Sequence, residues 1–163
     1  MGIRILLVIL VFFSFSTIAS AEAPLRAAFI RNHQLWIKER DKETPLTKDR
    51  HVCSPQWSND GRFIAYLDGD EHATKTYLFI YDSKQKESYQ PYETIETIET
   101  RNFQWSPISN QLAYNAGGVL NITKTKNGRP KGFENVSLGV SHFAWFPNGK
   151  ELSVKHSSSS LNK

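Results

Sequence analysis

The chain has 163 residues, 39% of them hydrophobic and 22% charged, which suits one modest globular domain. Its formal charge of +4 and pI of 9.2 do not make a nucleic-acid surface, because Lys38, Arg40, Lys42, Lys48 and Arg50 alternate with Glu39, Asp41, Glu43 and Asp49 instead of forming a basic face. The single cysteine, Cys53, excludes an internal disulfide and a Cys-based zinc site.

In chain order, the first element is a leader. Met1 to Ala21 holds one charge, Arg4, then an apolar run from Ile5 to Phe15, then the small residues Ala19-Ser20-Ala21. This order predicts a signal helix over residues 1–21 with cleavage after Ala21. The run is short beside the about 20 apolar residues of a spanning helix, and an uncleaved anchor is the alternative. The expected destination is extracellular, cell-envelope or periplasmic, with membrane association only if the signal is retained. No cysteine near Ala21 offers a lipid attachment point.

Strand patterns begin almost at once. Ala27-Ala28-Phe29-Ile30, Gln34-Leu35-Trp36-Ile37 and Glu43-Thr44-Pro45-Leu46-Thr47 read as three short strands, rich in the β-branched and aromatic residues that pleated surfaces favour. Cys53 then stands where a small apolar residue opens a strand, which suits a buried, inert thiol.

From here the sequence repeats. Pro55-Gln56-Trp57-Ser58-Asn59-Asp60-Gly61-Arg62-Phe63-Ile64-Ala65-Tyr66 aligns without gaps on two later segments. One is Phe103-Gln104-Trp105-Ser106-Pro107-Ile108-Ser109-Asn110-Gln111-Leu112-Ala113-Tyr114, and the other is Phe143-Ala144-Trp145-Phe146-Pro147-Asn148-Gly149-Lys150-Glu151-Leu152-Ser153-Val154. The tryptophans are 48 and then 40 residues apart, the length of one four-stranded propeller blade. Asn59-Asp60-Gly61 and Pro147-Asn148-Gly149 supply the positive φ of a tight hairpin. Because strand side chains alternate, the Ile64 and Tyr66 positions share one face and the small residue between them takes the other. Tyr77–Tyr81 and Val119–Thr123 predict third strands, each followed by a polar turn and a weaker outer strand. The tryptophans read as packing between blades, with Trp36 outside the repeated position.

The Gln-Trp-Ser-x-Asp-Gly-x-x-Ile-Ala-Tyr string resembles the repeat of TolB-like propellers, relatives of the WD-type propellers. The resemblance runs from about Ala27 to the C-terminus and implies an all-β fold of four-stranded antiparallel blades. It departs at Ile108-Ser109-Asn110, which replaces the Asp-Gly turn, and at Phe146, which replaces the serine. It does not extend to TolB itself, whose propeller follows an α/β domain. The expected organisation is a signal peptide over 1–21 and a partial propeller over 22–163, with blades near 25–50, 51–100, 101–139 and an incomplete 140–163. About three blades cannot close a ring by themselves. The reading is therefore a fragment of a longer propeller, with a short protein that closes by self-association through open blade edges as the rival. The doubled Thr94-Ile95-Glu96 and Thr97-Ile98-Glu99 run reads as a small insertion.

No reaction suggests itself from these residues. Gly139-Val140-Ser141-His142-Phe143 lacks the second glycine of a nucleophile elbow, and Ser141 and His142 would face opposite ways on a strand. Asp68-Gly69-Asp70-Glu71-His72 lacks the later ligands of a calcium loop. His33, His51, His72, His142 and His156 show no zinc-ligand spacing. Asn121-Ile122-Thr123 and Asn135-Val136-Ser137 match the glycosylation pattern, which matters only in a eukaryotic secretory route. The expectation is an exported, non-catalytic interaction module with no catalytic, cofactor or metal residues, no cofactor and no nucleic acid. Its unknown protein or small-ligand partner would bind the loop face. The alternatives are the propeller half of a prolyl-oligopeptidase-like serine peptidase or another propeller enzyme, with the catalytic part elsewhere. N-terminal sequencing of the protein recovered from the extracytoplasmic fraction should begin at Glu22; a chain that still begins at Met1 would establish the anchor.

Overall fold

The computed structural model describes residues 25–69, 75–92, 98 and 102–157. The signal helix expected over 1–21, Asp70 to His72 of the acidic loop, all but Ile98 of the Thr94 to Glu99 duplication and the tail from Ser158 lie outside the described residues.

Thirteen strands follow one another among the described residues, in four antiparallel sheets. The first sheet is β1 (Arg26–Arg31), β2 (Gln34–Glu39) and β3 (Lys42–Pro45). The second is β4 (Val52–Trp57), β5 (Phe63–Asp68), β6 (Tyr77–Asp82) and β7 (Glu87–Tyr89). The third is β8 (Phe103–Trp105), β9 (Leu112–Ala116), β10 (Val119–Lys126) and β11 (Arg129–Leu138). The last is β12 (Val140–Trp145) and β13 (Leu152–His156). Within each sheet the strands pair in chain order, so every sheet is a meander and each repeated tryptophan lies on its first strand.

The hairpin that defines the repeat is closed by its own side chains. In the second sheet the Ser58 hydroxyl accepts from the Phe63 N–H at 3.0 Å and donates to Asp60 Oδ1 at 2.7 Å, while Asp60 also accepts from the Arg62 N–H at 2.9 Å. Gly61 sits at φ 68°, where a side chain would be strained. In the last hairpin Asn148 does Asp60's work, accepting from the Lys150 N–H at 3.0 Å. Phe146, in the serine's place, closes its turn through backbone bonds to Glu151 and Gly149.

Alternation along the second strand of each sheet builds the contact between sheets. Ile64 and Tyr66 pack with Leu35, Ile37 and Tyr81 toward the first sheet. Phe63, Ala65 and Leu67, one residue out of phase, pack with Phe103, Leu112 and Tyr114 of the third. Ala113 and Leu120 then meet Val140 and Phe143 of the fourth. Every sheet with two neighbours is thus covered on both faces, and β5 is buried from Phe63 to Leu67. At the ends the outward positions are open: β13 is exposed after Leu152, and Ala27 of β1, on the face away from Ala28, is exposed.

One expectation changes. The outer strand of the third sheet was expected to be weak, yet β11 has ten residues and is the longest strand in the fold. Its two-residue turn, Asn127 at φ 53° and Gly128 at φ 69°, has the twist of a type I′ hairpin, and the pairing runs on past two register shifts.

The face alternation makes a differential prediction. Ala65→Leu forces a larger side chain into a fully buried contact between sheets and should cost about 1–3 kcal/mol in urea unfolding. Ser153→Leu, at the matching position on the open fourth sheet, should stay within about 0.5 kcal/mol of the native chain.

Candidate functional site

Antiparallel order sends the β4–β5 and β6–β7 turns to one end of the sheets and the β3–β4 and β5–β6 connections to the other.

On the hairpin face one cluster of charges is spent on the fold. Asp82 is fully buried at the end of β6 and receives Arg62 through two bonds, from Nε at 3.2 Å and from Nη2 at 2.8 Å. It also accepts from the Lys84 N–H at 2.9 Å, and Arg129 Nε approaches it at 3.4 Å from the neighbouring sheet. Burial works to raise the Asp82 pKa, but the Arg62 hydrogen bonds and charge and the Lys84 and Gln85 N–H groups outweigh it and hold the carboxyl below its ordinary range. Asp60 is held low in the same way, burial opposed by Asn110, the Arg62 N–H, Ser58 and the Arg62 charge. Asn110 reaches Asp60 from the third sheet at 2.7 Å, so the segment that departs from the repeat gains a bond to its neighbour. Beside them Tyr89 is pushed up to about 12, chiefly by burial, with the Arg129 guanidinium 4.2 Å over its ring.

The opposite face holds a cleft of about 690 Å³ lined by Lys48, Asp49, Arg50, His51, Asp68 and Gly69. The β3–β4 connection that forms one wall is anchored at its end, where the Val52 N–H donates to the His33 carbonyl at 2.8 Å and the Gly69 N–H to the His51 carbonyl at 2.7 Å. The His33 and His51 rings lie 4.9 Å apart. Arg50 pairs with Asp68 and covers the Phe79 ring at 4.6 Å. Gly69 has no alternative here, since a Cβ would come within 2.9 Å of Thr76 Cγ2. Both signs of charge line the cleft, which suits a ligand offering donors as well as acceptors. Among the described residues no three His, Cys, Asp or Glu side chains gather as a metal site.

The residues weighed from sequence do not converge on this cleft as a group. Asp68 is there, paired with Arg50, and His33 and His51 stand at or beside it, while His142 and His156 are on the last sheet. The Ser141 hydroxyl donates to the Lys155 carbonyl at 3.0 Å, a bond within the β12–β13 pair. Cys53 is buried, its sulfur 3.9 Å from the Gly69 carbonyl oxygen. Asn121 is 2% exposed and its amide donates to the Val119 carbonyl, so a folded chain presents no acceptor there. Sequence reasoning missed Asp82 and its two arginines. The available signal was an acid closing an apolar strand and opening the Ser83-Lys84 turn.

The repeated tryptophans have a role beyond packing. Trp105 Nε1 donates to the Gln56 carbonyl at 3.0 Å, and Trp145 Nε1 to the Gln104 carbonyl at 3.2 Å. Each indole therefore bonds the residue that precedes the tryptophan on the sheet before it.

No family model matches the chain, and no curated protein matches it by sequence. Among solved structures it is similar to an oligogalacturonate lyase in complex with manganese, with a TM-score of 0.50 and 13% identity over 72% of this chain. The fold is a partial β-propeller. The match covers 36% of the length of that lyase. The likeness reaches the fold and not the TolB-like repeat in particular. It also corrects the expectation that the chain is not an enzyme: the same fold carries a lyase, and the architecture gives no ground for excluding catalysis.

Acid titration and one substitution test the hairpin face. The Asp82 pKa is lowered by folding, so its pairing stabilises fully above about pH 4 and is lost as pH falls through the lowered value. Asp82→Asn should cost about 2–3 kcal/mol in urea unfolding at pH 7 and flatten the loss of stability below about pH 4.

Proposed function

We propose that the chain is the TolB-like propeller portion of an exported protein, and that the cleft between Lys48 and Gly69 binds a protein segment or a small polar ligand. Export is inferred from the leader, with the mature chain beginning after Ala21. The reading rests on the make-up of the cleft. Lys48, Asp49, Arg50 and His51 are all exposed around a concave surface that carries both signs of charge. Loops held at their ends by strand pairing, with polar tips turned outward, are where a rigid scaffold places recognition.

A second reading, that these blades belong to a longer propeller enzyme, is favoured by the fold shared with the lyase, of which the chain spans 36%. In that case the cleft would contribute to substrate binding while the reacting groups come from elsewhere in the ring.

The cleft is tested by comparing the native chain with a Lys48→Ala/His51→Ala double variant, both immobilised and exposed to an extracytoplasmic extract of the source. Both side chains are exposed, so the variant should keep the native circular dichroism spectrum and urea midpoint. A species retained by the native chain should be reduced at least fivefold on the variant. Equal retention on a folded variant would move the binding surface away from the cleft.

A further inference from the structure

Two imidazoles that are 18 residues apart in the chain meet at the rim of the cleft, where the His33 and His51 ring centres lie 4.9 Å apart. Their planes are inclined at 41°, too far from parallel for a stacked pair. Both residues are exposed, and neither ring has a hydrogen-bond or ion-pair partner among the described residues. The separation is the one that a shared metal ion imposes. Imidazoles bonded to one zinc ion at about 2.1 Å hold their ring centres about 4.5 Å apart at a right angle and about 5.2 Å apart at a tetrahedral one. We infer that His33 and His51 form a two-histidine site for a divalent transition-metal ion that favours imidazole, such as zinc or nickel.

The backbone brings the two rings together and holds them there. His33 ends the two-residue turn between β1 and β2, across which Arg31 pairs with Gln34. Its carbonyl accepts from the Val52 N–H at 2.8 Å, which fixes the turn against the residue after His51. The His51 carbonyl in turn accepts from the Gly69 N–H at 2.7 Å. Each imidazole therefore stands on backbone bonded to another segment, and little ordering of the chain is left for the ion to impose. The pair ties the turn of the first sheet to the start of β4 in the second. Spacing along the chain hides it, because its members meet only across that boundary.

His33 also occupies a position that its side chain does not suit. Asn32 at φ 50° and His33 at φ 60° put both central residues of the turn at positive φ, where the second place favours glycine. The β10–β11 turn has that arrangement, with Asn127 followed by Gly128. An exposed imidazole in glycine's place adds nothing to the core, and the backbone strain it carries marks a functional position. The charged side chains beside the pair leave it accessible, since Arg50 is engaged by Asp68 while Lys48 and Asp49 are exposed. With two protein ligands the ion keeps positions open for water or a bound ligand.

The probe is zinc chloride, titrated by calorimetry into the whole chain without an affinity tag. His33→Gly and His51→Gln should each weaken zinc binding at least tenfold. Either change leaves a single imidazole, so the double variant should lose less than the product of the two losses. Glycine suits the turn's positive φ, so His33→Gly should keep the native urea midpoint or exceed it. Zinc should raise the midpoint of the native chain and leave that of His33→Gly unchanged. A His142→Gln/His156→Gln variant should bind zinc as the native chain does, and calcium, which takes oxygen ligands, should not compete. The inference is overturned if the native chain takes up no zinc, or if His33→Gly binds it equally well. It is equally overturned if the two losses multiply, or if calcium displaces zinc, which would assign the ion to the acidic residues from Asp68 onward. His33 is not among the residues lining the cleft, so His33→Gly tests the ion without removing the cleft, and the result stands apart from the proposed function.

Discussion

The bond from the Trp105 and Trp145 indoles to the carbonyl of the preceding sheet is the constraint on which the rest of the structure depends. A meandering four-stranded sheet satisfies its own backbone but leaves two apolar faces, and apolar contact alone allows neighbouring sheets to slide or rotate. The indole is large enough to fill the space between first strands and carries one directional donor. Placed at Trp105 and Trp145, that donor ties each first strand to the carbonyl just before the previous tryptophan. A buried indole N–H without an acceptor costs about 1–3 kcal/mol, so a slipped arrangement is penalised even where its apolar area is unchanged.

Other contacts between sheets follow from the registration that the tryptophans impose. The small residue eight positions after each tryptophan must be small because the next sheet's first strand crosses there; Ala65 and Ala113 are both fully buried. The hairpin turns come close enough for Asn110 to bond Asp60, and for the Ile108 side chain to pack where a Cβ on Gly149 would clash, at 2.3 Å from Ile108 Cγ1. Arg129 reaches Asp82 across the same boundary. That contact is in this sense a consequence of blade spacing, which brings Arg129 of the third sheet onto Asp82 of the second.

The other end of the same strands carries the cleft. The cleft residues sit on connections whose backbone is fixed at both ends by strand pairing while their side chains project outward. Under the proposed reading, binding falls at that end of the strands, while the Arg62–Asp82–Arg129 cluster ties the sheets at the other.

Much of this was legible from residues alone. Tryptophans 48 and 40 residues apart, the turn residues between strands and the alternation of Ile64, Ala65 and Tyr66 carry enough information to specify strands, hairpins and blades, because each of these is a local or period-two property. The long β11 was not legible, since its extent depends on a partner strand and not on its own composition. Neither were the approach of Arg129 to Asp82, which needs two sheets to stack, and the cleft, which needs the Lys48–His51 segment paired beside Asp68 and Gly69. Composition and period determined that these residues form blades and which faces are apolar. Only the tertiary structure decided which indole finds its carbonyl, which acid is buried and which edge stays open, because those are relations between sheets and no stretch of sequence contains both partners.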